Sequence, residues 1–425
     1  PGLVLQQKSL EYLSFSGMPM SSFRSIQVVN VRWFNATAWY GLELARLLNA
    51  AGHESRVVAL ADTETFAKAE EMGLRPLAMP LNAKNPLEFP GLIRDMGRLV
   101  RAFRPDVVNC HRGESFLFWG LLKGMGGYAL VRTRGDQRLP KGNLPNRILH
   151  TRVADAVVAT NSVMARHFAE KMRVPAERLH MILGGVDTEL FRFDPEGRAE
   201  VRARYGFTDD ECVVGLLGRF DLVKGQRETI AALAKLVGEG VRNIRLLLLG
   251  FSTATLQEEV EVWIREAGME RYVTITGKVP DVTACLSALD VGVVASLWSE
   301  TIARAALEIM ACGRPLVSTS VGVMPDLLPA SALVAPGDVD ALAGVLRRDG
   351  WGLAAGLGRA LLRADYVPPG QGFSRTDVGC LRGSVPSAVF ILGPFNFGMV
   401  PLSRQSAPRN AADRDSINTK VFEGK

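Results

Sequence analysis

The sequence predicts an α/β protein made of two successive parallel-sheet domains. Short apolar runs alternate with longer amphipathic stretches, the rhythm of βα units. That series stops at a polar interval near the middle of the chain and then restarts. At 425 residues there is enough chain for two large cores.

In the first half, Ile26 to Val31 reads as a strand, Gly41 to Ala51 as a helix and Ser55 to Leu60 as a second strand. Pro76 to Met79 is a third strand, and Leu92 to Phe103 an amphipathic basic helix. Pro105 to His111 is a strand ending on a histidine; Ala156 to Ala159 and His180 to Ile182 continue the sheet. In the second half, strands are expected at Cys212 to Leu217, Ile244 to Leu249, Val273 to Ile275, Val291 to Leu297 and Leu316 to Thr319. Helices are expected over Arg227 to Val237, Leu256 to Ala267 and Val282 to Ala288. The expected division is an N-terminal extension over 1–24 (with Met18 or Met20 as candidate starts), a first domain over 25–190 and a linker over 191–210. A second domain over 211–366 and an irregular, disordered tail over 367–425 complete it.

Composition excludes several classes. Apolar content of 47% and charged content of 22% are ordinary for a globular protein. The five cysteines, at 110, 212, 285, 312 and 380, form no CxxC pair, so a zinc site or disulfide framework is not expected. They suit a reducing cytosol. No apolar run approaches the ~20 residues of a spanning helix, and no GxGxxG follows the first strand, which argues against a dehydrogenase. Net charge is +6 but uneven, with 16 Lys and Arg against 7 Asp and Glu between Leu92 and Arg178. That surplus is either a solvated face or a surface for anionic lipid or an anionic acceptor. No nucleic-acid motif accompanies it.

The chemistry concentrates in Ser299 to Pro315. Glu300 follows an apolar strand and Glu308 lies among Ala, Leu, Ile and Met. A carboxylate in apolar company is costly unless something binds it. Ligands of open α/β sheets sit at the carboxyl ends of strands. The amides from Thr301 to Arg304, at the expected start of a helix, are free to meet an anion. If both glutamates lie on that helix, eight residues separate them by ~12 Å, too far for a glycosidase pair. Upstream, Gly218-Arg219-Phe220-Asp221-Leu222-Val223-Lys224-Gly225 places two cations in a glycine-bracketed turn, which suits a diphosphate.

These motifs resemble those of retaining GT-B glycosyltransferases of the family 4 type (glycosyl transferases group 1). The marks are Glu300, seven residues, Glu308, then Met310-Ala311-Cys312-Gly313-Arg314-Pro315, together with the Gly-Arg and Lys-Gly turn. Gly184-Gly185-Val186-Asp187 with Phe191 is similar to the family's interdomain Asn-Gly-Val-Asp-x-x-x-Phe. Two places depart from the pattern. Val321-Gly322-Val323-Met324-Pro325-Asp326 stands for Gly-Gly-x-x-Glu. The first βα loop, Arg32 to Trp39, is bulky where the family has Gly-Gly.

The resemblance implies two Rossmann-like domains facing across a cleft. It implies transfer of a sugar from a nucleotide-diphospho-sugar, with retention, to a glycan or glycolipid acceptor. Arg219 and Lys224, with Gly218 and the amides of Thr301, Ile302 and Ala303, would hold the donor diphosphate. Glu308 would bind the ribose, Glu300 the sugar hydroxyls, and the backbone at Val279 the base. His111 would lie beside the donor sugar. No metal and no cofactor beyond the donor is expected, since cations and amides supply the positive charge. Asp338-Val339-Asp340 is read as a helix cap, not a metal-binding DxD. A cytoplasmic location is expected, with peripheral contact at the inner face of an anionic membrane, and no nucleic-acid partner. Two alternatives stand beside this reading: a nucleotide-sugar epimerase of the same fold, and a catalytically degenerate nucleotide-sugar-binding protein.

Overall fold

The computed structural model describes residues 22–352. The expected extension up to residue 21, the end of the second domain beyond 352 and the tail over 367–425 lie outside the described residues.

The first domain is a seven-stranded parallel sheet. Its elements are β1 (Arg24–Val29), α1 (Ala36–Ala50), β2 (Glu54–Ala59), α2 (Glu64–Glu71), β3 (Leu77–Ala78), α3 (Phe89–Phe103), β4 (Val107–Cys110), α4 (Phe116–Gly126), β5 (Ala129–Arg134), α5 (Leu144–Ile148), β6 (Ala156–Ala159), α6 (Ser162–Glu170) and β7 (Leu179–Met181). The strand order is β3-β2-β1-β4-β5-β6-β7, the doubly wound pattern. β6 is apolar along its length, and β1 is buried from Ser25 to Val29, because helices cover both faces of such a sheet. Helix starts are marked by short polar side chains. Asn35 caps α1 by accepting from the Ala38 amide, and Asn161 caps α6 through the Met164 amide. Trp119 of α4 is fully buried, and its carbonyl accepts the Tyr128 hydroxyl at 2.5 Å. Cutting such a core aromatic to alanine costs ~3–5 kcal/mol.

The second domain runs α7 (Pro195–Tyr205), β8 (Cys212–Leu217), α8 (Gln226–Gly238), β9 (Ile244–Leu249), α9 (Gln257–Glu266), β10 (Val273–Ile275), α10 (Val282–Ser287), β11 (Val291–Val294), α11 (Arg304–Ala311), β12 (Leu316–Thr319), α12 (Met324–Leu327), β13 (Leu333–Val334) and α13 (Val339–Gly352). Its strand order is β10-β9-β8-β11-β12-β13, with every pairing parallel.

Two expectations need correction. The stretch 191–210 is not a plain linker, because it contains α7, which is tied to the second sheet. Arg198 and Arg202 donate to Asp290 at 2.8 and 3.1 Å and to the backbone carbonyls that end α10. The polarity of Pro195–Tyr205 hid the helix: Val201 and Tyr205 are all it gives to the apolar core, and arginines tie it to the second sheet. The sequence reading also passes over β5. Arg132 and Arg134 break its apolar alternation, yet Arg132 is buried.

The carboxyl ends of β5 and β6 meet the loop after β11. The Thr301 hydroxyl donates to the Gly135 carbonyl at 2.7 Å, and the Thr160 hydroxyl to the Thr301 carbonyl at 3.2 Å. The Asp326 carboxylate accepts the Ser162 amide at 2.8 Å. An acid at a helix amino end is favourable, so the residue standing where the family has Glu joins the two domains.

Candidate active site

The turn after β8 is built from its own side chains. Phe220 is fully buried and pins it. The Asp221 carboxylate accepts the Val223 amide at 3.2 Å and pairs with Arg219 at 3.0 Å. Gly225 has φ 72°, and a Cβ there would stand 2.0 Å from the Ala295 carbonyl oxygen, so only glycine fits. That close approach brings β11 alongside the turn, and the Leu297 amide donates to the Val223 carbonyl at 2.8 Å.

The consequence is a part-buried ion pair between residues 76 apart. Lys224 Nζ donates to Glu300 Oε1 at 2.6 Å, and the Ser296 hydroxyl donates to the same oxygen at 2.6 Å. Glu300 is 7% exposed. Its backbone is held as well. The Val323 amide donates to the Glu300 carbonyl at 2.7 Å, and Gly322 at φ 61° presses so close that a Cβ would overlap that oxygen. The Val321 to Asp326 segment therefore supports the Glu300 loop.

Glu300 does not stand on a helix. α11 begins at Arg304, after Ala303 in the left-handed region at φ 54°. A non-glycine residue there carries strain, which gathers at functional sites. The separation of the two glutamates worked from a continuous helix therefore does not apply. The amides of Thr301, Ile302 and Ala303 have no acceptor among the described residues. Ile302 and Ala303 are buried, and Ile302 packs against Gly135 and Gly184 of the first domain.

Glu308 sits one turn into α11, 7% exposed. Arg304 donates to it at 2.8 Å, and the Arg304 guanidinium lies 4.9 Å from the Trp39 ring. Burial raises the Glu308 pKa above the ordinary carboxylate value, opposed by the nearby Arg304. Val279 is half-buried in the loop after β10, while Arg219 is largely exposed.

His111 follows β4 and is 1% exposed. Its Nε2 lies 3.0 Å from Gln27 Oε1, which also accepts from Asn109, so Nε2 carries the proton and donates. Its Nδ1 is then an acceptor, buried and without a partner. Burial, and then Arg132, push its pKa down to about 3. The ring is neutral at ordinary pH and suits hydrogen bonding to a hydroxyl, not proton donation. The structure joins Lys224 to Glu300 and Arg304 to Glu308, but gives His111 no bond to any of them.

The sequence reading misses Ser296, Gln27 and Trp39. Only Ser296, four residues before Glu300, carries a local signal. A separate cavity of about 670 Å³ lies at the carboxyl ends of β1 to β3, lined by Arg32, Trp33, Asp62, Glu64 and Met79 among others; it shares no residue with the Lys224–Glu300 cluster. Among the described residues no group of three His, Cys, Asp or Glu could hold a metal.

Residues 211–348 match the family described as glycosyl transferases group 1, and residues 37–190 match glycosyltransferase family 4. Each of the two domains matches a glycosyltransferase family model. A D-inositol 3-phosphate glycosyltransferase of Segniliparus rotundus is 27% identical over 53% of this chain and 53% of its own length. One of Xylanimonas cellulosilytica is 26% identical over 67% of this chain and 75% of its own. The chain thus spans about half the length of the first relative. A solved glycosyltransferase of Rickettsia africae superposes with TM-score 0.72 at 18% identity, covering 80% of this chain and 92% of that one. Anabaena HepE in complex with UDP gives 0.68 at 19%, covering 80% and 94%. These likenesses show the fold, which is the GT-B arrangement of two Rossmann-like domains.

Proposed function

We propose that the protein transfers a sugar from a nucleotide-diphospho-sugar to an acceptor hydroxyl with retention of anomeric configuration. The observation that carries this is the meeting of the Arg219–Lys224 turn with Glu300 beside three unoccupied amides. In this reading Arg219, Lys224 and the amides of Thr301, Ile302 and Ala303 grip the diphosphate, with Gly218 allowing close approach. The bond from the anomeric carbon to the phosphate oxygen breaks. The acceptor oxygen bonds to that carbon on the same face, and the acceptor proton leaves with the departing phosphate. The two cations neutralise the charge that develops on the leaving group. No metal or further cofactor enters the step.

Glu300 Oε1 is occupied by Lys224 and Ser296, so Oε2 is the oxygen left for a sugar hydroxyl. His111 Nδ1 accepts another sugar hydroxyl. Glu308 takes the ribose and the Val279 backbone the base. UDP-glucose is the first donor to test, since HepE is solved in complex with it.

The acceptor in this reading is a glycan or glycolipid precursor of the cell envelope, met at the inner face of the membrane. Among the described residues no helix is long and apolar enough to cross a membrane. Exposed Leu117, Leu121 and Met125 on α4 lie beside the basic face of α3, with Arg101 reaching Met125 at 3.8 Å, which suits peripheral contact with anionic lipid. Relatives named as transferases support transfer over epimerisation. Turnover of nucleotide sugars by the purified chain, with Lys224→Met as control, tests the reading.

A further inference from the structure

A second cluster of charge lies in the first domain, apart from Lys224 and the glutamates. Arg132 on β5 is 1% exposed. Its Nη1 donates to the carbonyls of Cys110 and Thr133 at 2.7 and 2.6 Å, while its Nη2 is buried with no partner. Neighbouring Arg112 is paired with Glu114, and Arg134 with Asp136 at 3.3 Å. Among the described residues no carboxylate pairs with Arg132 itself. The guanidinium lies 6.0 Å from the Phe116 ring and feels Asp136 and Glu114 only at a distance, so a buried charge is left without a direct carboxylate partner, a costly state.

The free Nη2 faces the amino end of α4. A Cβ on Gly113 would stand 3.7 Å from it. Ser115, the N-cap residue, makes no capping bond, and its hydroxyl is buried without a partner. The Nε of Arg134 is also buried and unpartnered. α4 has 11 residues, long enough for its dipole to favour an anion, although the Phe116 and Phe118 amides already donate to the Gly113 and Ser115 carbonyls. His111 stays outside this group, because its free nitrogen is an acceptor.

We propose that Arg132 Nη2, the Ser115 hydroxyl and the amino end of α4, with Arg134 at the edge, bind an anionic group of the acceptor, a phosphate or a carboxylate. The proposal rests on the glycosyl-transfer reading only in naming the ligand as the acceptor. The two anions are distinguished by experiment.

Inorganic phosphate, acetate and neutral glycerol are titrated by calorimetry into the full chain carrying Lys224→Ala, so that the turn after β8 is disabled. The same titrations follow after adding Arg132→Gln, Arg134→Gln or Ser115→Ala, with each melting temperature recorded. One of the anions is expected to bind and glycerol not to bind. Arg132→Gln should weaken the anion at least about tenfold, with smaller losses for the other two. Stronger phosphate binding assigns a phosphate ester, and stronger acetate binding a carboxylate. Absence of binding by both anions, or equal binding with and without Arg132, overturns the proposal. If Arg132→Gln does not fold, unchanged affinity in both Arg134→Gln and Ser115→Ala overturns it instead. UDP-glucose affinity is measured on the single variant Arg132→Gln and on wild type. If wild type binds no nucleotide sugar while anion binding still depends on Arg132, the transfer reading fails and the anion site stands.

Discussion

Replacing Lys224 by methionine tests two functions of one ammonium group. In the structure it lies 2.6 Å from Glu300, whose side chain is 9% exposed against 24% for Lys224. Removing one partner of a sealed ion pair costs ~3–5 kcal/mol. Water reaches the lysine end here, so a loss of about 2–3 kcal/mol is expected. At ~2–4 °C per kcal/mol the melting temperature should fall by about 5–10 °C. Loss of a charged contact to the diphosphate should separately weaken UDP by about 1.5–3 kcal/mol, or about 10–150-fold. Glu300→Gln combined with Lys224→Met removes the stranded charge, so the double variant should be more stable than the two single losses predict, by about 1–3 kcal/mol. Thermal unfolding and UDP calorimetry on the four proteins measure both effects. Wild-type UDP affinity in Lys224→Met refutes the diphosphate assignment. Strict additivity of the stability losses refutes the ion pair.

The two glutamates should separate. Glu308→Gln should weaken free UDP about tenfold. Glu300→Gln should leave UDP affinity near wild type and lower kcat, since a contact that strengthens in the transition state appears in turnover; the reverse pattern would invert the roles. Acid should unfold the first domain through its buried histidines. His111 and His150 are held at about 3 and about 4, below their unfolded value of 6.5. Depressed values give stability that is present above pH 6.5 and lost as pH falls toward the folded values. By pH 4 His111 alone should have lost about 3 kcal/mol. The melting temperature of His111→Gln should therefore depend less steeply on pH between 6.5 and 4, and an unchanged slope contradicts the burial argument.

Much of the fold was legible because buried parallel strands are apolar along their length. Cys212–Leu217, Ile244–Leu249 and Val291–Val294 stand out for that reason. Legibility failed where polar side chains make the packing. α7 is held by arginines on Asp290, and β5 hides a buried Arg132, so neither shows an apolar period. In the candidate site, the motifs name Arg219, Lys224, Glu300 and Glu308, but spacing alone could not show that Lys224 pairs with Glu300. That pairing depends on Gly225 approaching Ala295 and on Gly322 approaching Glu300, both tertiary facts. Nor could it place Glu300 in a loop, since the strained turn at Ala303 has no sequence signature. The link from Arg304 to Trp39 likewise joins residues of different domains.

The central claim is glycosyl transfer with retention, driven by side-chain cations without a metal. Hydrolysis of UDP-glucose by the purified chain in excess EDTA, followed by proton NMR at early times, tests it most directly, with water standing in for the acceptor. The account predicts UDP release with the α-anomer of glucose appearing first, abolished by Lys224→Met. Release of the β-anomer first, or activity lost in EDTA and restored by a divalent metal, would contradict it.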